Sequence, residues 1–136
     1  MKPEFVYLDS SALVKIVVRE KESEALLAFV AANPARVTSA VSVTEVRRAI
    51  GRLPGPHAQA DRARLVLDGV ALLAVDLEIL DRAAGLGPPE LRTLDAIHIA
   101  SALSLGGDLR AFVTYDERQL AAARKAGLPV AAPGGG

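Results

Sequence analysis

The 136-residue sequence contains no cysteine, no tryptophan and only two histidines. The absence of cysteine excludes a disulfide-stabilised fold and any thiolate zinc site. With so few histidines, a metal site would have to use oxygen ligands, which favours magnesium or manganese. The three phenylalanines and two tyrosines offer little surface on which nucleic acid bases could stack, so recognition of bases by stacking is weakly supported.

The sequence also lacks a net charge and a long apolar run. Its 16 basic residues balance 16 acidic ones, so any binding to nucleic acid must use a local patch rather than the charge of the whole protein. Asp9 and Lys15 interrupt the apolar N-terminal stretch, and no stretch reaches the length of a membrane span. We therefore expect a cytoplasmic protein without a signal peptide and without membrane association.

What the sequence does have is a regular alternation of short apolar runs and longer amphipathic runs. This alternation predicts an α/β fold whose mostly parallel sheet has four to five strands and is covered by helices on both faces. We expect one domain over residues 1–132 and a flexible glycine-rich tail over residues 133–136. The predicted strands are 5–8, 36–39, 70–75, 111–114 and 129–131, and the predicted helices are 10–19, 23–32, 43–53, 58–67, 77–86, 93–105 and 117–126.

Four acidic residues fall at similar places in this predicted pattern. Asp9 follows the first strand directly, and Asp116 lies just past the strand that ends at Thr114. Glu45 and Asp95 lie in the first turns of two helices. Because ligands of open α/β sheets bind beyond the carboxyl ends of the strands, these four carboxylates are candidate site residues.

Each of these acids, taken alone, also fits an ordinary structural role. Asp9 and Asp116 could cap helix N-termini, Asp95 could interact with a helix dipole, and Glu45 could be a solvated helix residue. The functional interpretation depends on the four occurring together.

Four clustered carboxylates would repel one another unless a cation neutralises them. A divalent cation with oxygen ligands can activate a water and hold a phosphodiester for attack. Because the sequence has neither a lysine-bearing phosphate loop nor a Ser–His pair, the pattern favours metal-assisted hydrolysis of phosphodiester bonds. An aspartyl-phosphate mechanism is disfavoured, since Ser11 stands where a second acid would be expected.

Four stretches of this sequence together resemble the PIN-domain ribonucleases, specifically the VapC-type toxins of toxin–antitoxin pairs. They occur in the family's order, and the resemblance extends from about Phe5 to Val130. The stretches are Val6-Tyr7-Leu8-Asp9-Ser10-Ser11-Ala12-Leu13-Val14-Lys15, Thr44-Glu45-Val46, Thr93-Leu94-Asp95-Ala96-Ile97-His98-Ile99-Ala100-Ser101-Ala102 and Phe112-Val113-Thr114-Tyr115-Asp116.

The resemblance implies a PIN-like three-layer sandwich and an endoribonuclease that requires Mg²⁺ or Mn²⁺ and prefers single-stranded RNA. It implies that the catalytic acids are Asp9, Glu45, Asp95 and Asp116, of which the three aspartates are metal ligands. The hydroxyl residues that support the site correspond to Ser10 and Thr114. The resemblance further implies a homodimer and a small cognate antitoxin whose C-terminal segment covers the acidic pocket.

Four basic residues are candidates for binding RNA phosphates: Arg48, Arg52, Arg92 and Lys15. Arg48 and Arg52 are four residues apart and would share one helix face, although such a face can equally be solvated. His98 shares a helix face with Asp95 and could orient a ligand, but a packed core histidine is the simpler interpretation. A catalytically silent PIN-fold module that acts through protein contacts is the alternative to a nuclease, and the complete set of acids favours the nuclease.

Overall fold

The computed structural model describes residues 3–55 and 58–135 and contains a five-stranded sheet with helices on both faces. Gly136, the last residue of the predicted tail, and His57 lie outside the described residues. The elements in chain order are β1 (Phe5–Leu8), α1 (Ser10–Val17), α2 (Ser23–Ala32), β2 (Arg36–Ser39), α3 (Val41–Gly51), α4 (Ala58–Asp68), β3 (Ala71–Leu73), α5 (Leu77–Ala84), α6 (Thr93–Leu103), a short 3₁₀ turn (Gly106–Asp108), β4 (Leu109–Val113), α7 (Glu117–Lys125) and β5 (Val130–Ala131).

All four strand pairings are parallel, and the strand order is β3-β2-β1-β4-β5. The chain builds outward from β1 through β2 to β3, and then crosses to the other side of β1 to build β4 and β5. The order therefore reverses between β1 and β4. A crevice forms at such a reversal beyond the carboxyl ends of the strands, because the connections on its two sides turn to opposite faces of the sheet. The predicted α/β sandwich with a parallel sheet is confirmed.

The alternation of side chains along β1 and β4 divides the core into two layers. Val6, Leu8 and Val113 pack against the helices α1 to α4. Tyr7 and Phe112, which point to the opposite face, stack on each other with ring centroids 5.2 Å apart and pack against α6 and α7. Helix α5 lies on α6 rather than on the sheet itself.

Several element boundaries differ from the predicted ones for local reasons. The third strand has three residues rather than six, because β3 pairs only with the last three residues of the short strand β2. Helix α3 begins at Val41, two residues earlier than predicted, where the hydroxyl of Ser39 accepts a hydrogen bond from the Val41 amide (3.3 Å).

The tail contacts the body of the domain at Pro133, whose carbonyl accepts a hydrogen bond from the Tyr115 hydroxyl (2.7 Å). The flexibility of the tail stays a prediction. Within the described part of the chain, no helix combines the length and apolarity needed to cross a membrane.

Candidate active site

The four predicted acids come from four separate segments that begin or end at the same edge of the sheet. Asp9 follows β1 and Asp116 follows β4, while Glu45 lies in the second turn of α3 and Asp95 in the first turn of α6. In a parallel sheet covered by helices, the strands end and these helices begin on one side of the molecule. The crevice at the reversal of strand order is therefore acidic.

Asp9 is the most deeply placed of the four, with only 3% of its surface exposed. Its Oδ1 accepts hydrogen bonds from the Ser11 hydroxyl (2.6 Å) and from the Ala12 amide (3.0 Å), and the second of these caps α1. Its Oδ2 accepts a hydrogen bond from the Thr114 hydroxyl (2.5 Å), which lies at the end of the neighbouring strand β4. Both oxygens of this carboxylate are thus held in fixed positions.

The environment of Asp9 disfavours its charged form. Burial raises the pKa of the Asp9 carboxyl above its usual value, although the charge of His98 and the hydrogen bonds from Ser11, Thr114 and Ala12 act in the opposite direction. The charged form of a carboxyl buried in this way is favourable only if a positive charge can approach it.

The pKa of the Asp95 carboxyl indicates that the four acids lie near one another. Burial is the largest cause that raises the pKa of its carboxyl, and the negative charge of Asp116 is the second. The charges of Asp9 and Glu45 raise the Asp95 pKa further, while His98 lowers it. All four predicted acids therefore contribute to one region of negative potential.

Asp116 caps helix α7, where its Oδ1 accepts hydrogen bonds from the amides of Arg118 (2.9 Å) and Gln119 (3.3 Å). Both amides use Oδ1, so Oδ2 of this exposed side chain takes part in neither bond. Capping and a functional role are thus compatible at Asp116, as they are at Asp9.

Glu45 is positioned by two side chains. The Ser10 hydroxyl donates to its Oε2 (3.3 Å), and Nε2 of the buried His98 lies 2.6 Å from its Oε1. His98 in turn contacts the Tyr7 hydroxyl through Nδ1 (2.6 Å). His98 is packed in the core, as the sequence predicts. Its spacing from Asp95 indicates a shared helix face, but the spacing does not predict the contact with Glu45.

The supporting hydroxyls and the basic candidates are distributed unevenly around the site. Thr114 contacts Asp9, and Ser10 contacts Glu45. Arg48 and Arg52 line a cleft of about 700 Å³ whose wall also includes Ser10, Glu45 and Asp116. Arg92 is exposed at the N-terminal end of α6 and is absent from the residues that line this cleft.

Lys15 also lines the cleft, but its charge is already matched. Its ammonium lies 2.6 Å from a carboxylate oxygen of Glu22 and 3.0 Å from one of Glu20, and it sits over the Tyr115 ring at 5.0 Å from the centroid. Its interaction with RNA therefore stays a prediction that would require it to share this charge with phosphate.

The donor chemistry of the site fits a hard divalent cation. Carboxylate oxygens are the ligands that Mg²⁺ and Mn²⁺ prefer, and after burial the negative charges of Asp116, Asp9 and Glu45 raise the pKa of the Asp95 carboxyl. Among the described residues, no three acidic or histidine side chains are already grouped closely enough to hold one ion together.

Comparison with known proteins gives a consistent result. The PIN domain family model matches residues 6–125. Ribonuclease VapC46 of Mycobacterium tuberculosis is 48% identical over 128 residues, which cover 94% of this chain and 97% of that protein. The crystal structure of VapC20 of the same organism, described as a sarcin–ricin loop cleaving toxin, has a TM-score of 0.74 at 18% identity and covers 94% of this chain and 99% of its own. A toxin–antitoxin complex from Klebsiella pneumoniae has a TM-score of 0.69 at 22% identity, with coverage of 94% and 97%.

The burial of Asp9 leads to a prediction about stability without metal. Because its pKa is raised in the fold, the native protein binds this proton more tightly than the unfolded chain does. The contribution of Asp9 to stability therefore declines as the pH rises from its unfolded value of 3.8 through its folded pKa, and stays low above it. We expect Asp9→Asn to match or exceed the wild-type melting temperature at neutral pH, and to lose any such advantage at low pH.

The measurement is thermal unfolding from acidic to neutral pH in the presence of a chelator. Asp81→Asn, on the exposed face of α5, is the matched control and should change stability by less than about 0.5 kcal/mol at every pH. A large loss of stability in Asp9→Asn at neutral pH would mean that the Asp9 charge stabilises the fold.

Proposed function

The chain belongs to the PIN-domain family and to its VapC ribonuclease group, and from that membership we propose that it is the toxin of a toxin–antitoxin pair, an endoribonuclease that hydrolyses RNA phosphodiester bonds with Mg²⁺ or Mn²⁺. The observation that carries this proposal is that Asp116, Asp9 and Glu45, from three other segments, lie near enough to Asp95 for their charges to raise the pKa of its carboxyl, at the edge of the sheet where the strand order reverses. We further propose that the protein acts in the cytoplasm, where it meets its RNA.

In this proposal the three aspartates hold the cation. A bound divalent cation supplies positive charge that activates water and offsets the charge of the phosphodiester. Asp9 is held in position by Ser11, Thr114 and the first turn of α1, so it is the fixed point of the site. Asp116 offers the oxygen that does not cap its helix, and Asp95 brings a carboxylate whose pKa is raised by burial and by the charges of the other acids.

Glu45 and the arginines of α3 have different roles in the same cleft. Glu45, held by Ser10 and His98, is placed to accept a hydrogen bond or a proton from a reacting water. Arg48, in the last turn of α3, and Arg52, just past its end, line the cleft, where their guanidinium groups can make paired hydrogen bonds to backbone phosphates. We propose that these two arginines orient RNA, and that Arg92, at the start of α6, extends this contact.

The first test is cleavage of a panel of RNAs with and without Mg²⁺ or Mn²⁺. We expect Asp9→Asn, Asp95→Asn and Asp116→Asn each to lower the cleavage rate by about 100-fold or more, because each removes one preorganised negative charge from the site. Glu45→Gln should lower it less if Glu45 acts through water.

The matched control for cleavage is Glu117→Gln, which alters an exposed carboxyl next to Asp116 and should leave the rate unchanged. An aspartate variant that cleaves at the wild-type rate under limiting metal would remove that residue from the site. A folded wild-type protein that cleaves no RNA under any metal condition would favour the silent binding module.

The second test is the effect of metal on stability. Binding to the native state alone stabilises by RT ln(1 + [L]/Kd), which is about 2.7 kcal/mol when the metal is at 100 times its Kd. We expect Mg²⁺ or Mn²⁺ to raise the melting temperature in proportion to this term, with no rise in Asp9→Asn or Asp95→Asn and a wild-type rise in Asp81→Asn. A wild-type melting curve that is unchanged across millimolar metal would contradict the proposed site.

The partner in this proposal is a small antitoxin, and the toxin itself forms a homodimer. The similarity in fold to a chain from a toxin–antitoxin complex supports the antitoxin. An arginine or lysine of the antitoxin would enter the acidic crevice and replace the charge of the cation, because a cation that pairs with clustered, partly desolvated carboxylates makes strong charge-assisted hydrogen bonds.

We expect the product of the small open reading frame beside this gene to co-purify with the chain through a tag on the chain alone. The isolated complex should not cleave RNA, and Asp95→Asn together with Asp116→Asn should weaken the association. Purification of an active monomer that is harmless to its host would contradict the toxin assignment and leave the nuclease chemistry in place.

A further inference from the structure

A chain of two short hydrogen bonds runs from the centre of the core to the cleft. It links the Tyr7 hydroxyl to His98 Nδ1 (2.6 Å) and His98 Nε2 to Glu45 Oε1 (2.6 Å). Tyr7 is fully buried on the central strand and His98 is 1% exposed on α6, whereas the Glu45 side chain on α3 is 21% exposed. The chain thus joins three separate elements and ends on a group that faces the cleft.

Packing alone explains this arrangement poorly. The His98 ring does pack edge-on against Tyr7, with centroids 5.8 Å apart. However, buried polar groups cost free energy unless they are hydrogen-bonded, and apolar side chains of similar shape usually fill such a position at equal or higher stability. A tyrosine and a histidine that are both buried and both aligned toward one carboxylate therefore indicate a role for that carboxylate.

The phenol at one end determines which nitrogen of the imidazole faces Glu45 with a proton. A phenol carries its proton at neutral pH, so the Tyr7 hydroxyl can donate it to His98 Nδ1, which lies 2.6 Å away. A neutral histidine that accepts at Nδ1 carries its own proton on Nε2. The charged imidazolium form also carries a proton on Nε2. The remaining form, the neutral tautomer with its proton on Nδ1, would direct the Nε2 lone pair at the Glu45 carboxylate. Next to the Glu45 carboxylate, His98 is therefore either the neutral tautomer protonated on Nε2 or the imidazolium, and in both forms Nε2–H donates to Oε1.

We propose that His98, with its tautomer selected by Tyr7, is a positioning residue that holds Oε1 of Glu45, so that Oε2 faces the reactants. Oε2 accepts a longer bond, from the Ser10 hydroxyl (3.3 Å), and Ser10 lines the cleft together with Glu45. The effect on cleavage rests on the proposed ribonuclease function, while the tautomer of His98 does not depend on it.

The variants that test this role are His98→Leu, His98→Gln, Tyr7→Phe and the double variant of Tyr7→Phe with His98→Gln. His98→Leu removes the donor and keeps an apolar body, and we expect it to lower kcat by about 10- to 100-fold, as the loss of a supporting hydrogen bond around a metal site typically does. His98→Gln should restore most of the activity, because its amide nitrogen can donate to Oε1. KM should change much less than kcat, because His98 and Tyr7 are both buried and cannot contact RNA.

Tyr7→Phe separates positioning from packing. In the protein that keeps His98, it should lower kcat by about tenfold or less, the effect of one neutral hydrogen bond. In the His98→Gln variant, whose amide has no tautomers to select, the same change should have little effect, so the two effects should not add. Thermal unfolding of each variant shows whether it is folded at the assay temperature.

The tautomer is read directly by ring ¹⁵N NMR of the metal-free protein, with the His98 signals assigned by their loss in His98→Gln. We expect a protonated Nε2 whose N–H signal shifts in Glu45→Gln. An Nε2 without a proton would overturn the proposal, as would folded His98→Leu with a kcat within about twofold of the wild type. A wild-type protein that cleaves no RNA would contradict the proposed function instead, and the NMR result would then decide the positioning role by itself.

Discussion

The Asp9 carboxylate is held almost out of contact with water at the end of the central strand, and much of the surrounding structure serves to keep it there. Its two oxygens are met by the first turn of α1 and by the Thr114 hydroxyl. Thr114, the residue after β4, can reach it because the Asp9 amide donates to the Val113 carbonyl (3.1 Å), which extends the pairing of β1 and β4 one residue past the end of β1. The register of the two central strands therefore determines the geometry of the site.

The same burial that disfavours the charged form of the Asp9 carboxyl makes the crevice suitable for a cation. Asp95 and Asp116 lie close enough for their charges to interact. A fold that keeps such a cluster gives up some stability in return for strong binding of a positive charge. Under the proposed function, a divalent cation and a basic side chain of the antitoxin would meet the same electrostatic demand at one site.

Several polar side chains are buried in this protein, among them Thr38, Ser101 and Gln119, and one line of polar side chains reaches the site. The two central strands otherwise present aliphatic and aromatic side chains to the helices on both faces. In the line from Tyr7 through His98 to Glu45, a buried pair departs from this apolar packing and ends at the cleft. Such departures from local packing rules are expected where function sets the residue.

By itself, the sequence determined the alternation of strands and helices, and the positions of the four acids at strand ends and helix starts. These features depend on periodicity and on neighbours a few residues away, which a single chain displays directly. The strand order, the three-residue length of β3, the contact of His98 with Glu45 and the pairing of Lys15 with Glu22 were decided only by the tertiary structure. His98 and Glu45 are 53 residues apart, and the direction of each side chain depends on how α3 and α6 are placed on the sheet. Sequence spacing could place His98 on the same helix face as Asp95, but only packing could bring that face to Glu45.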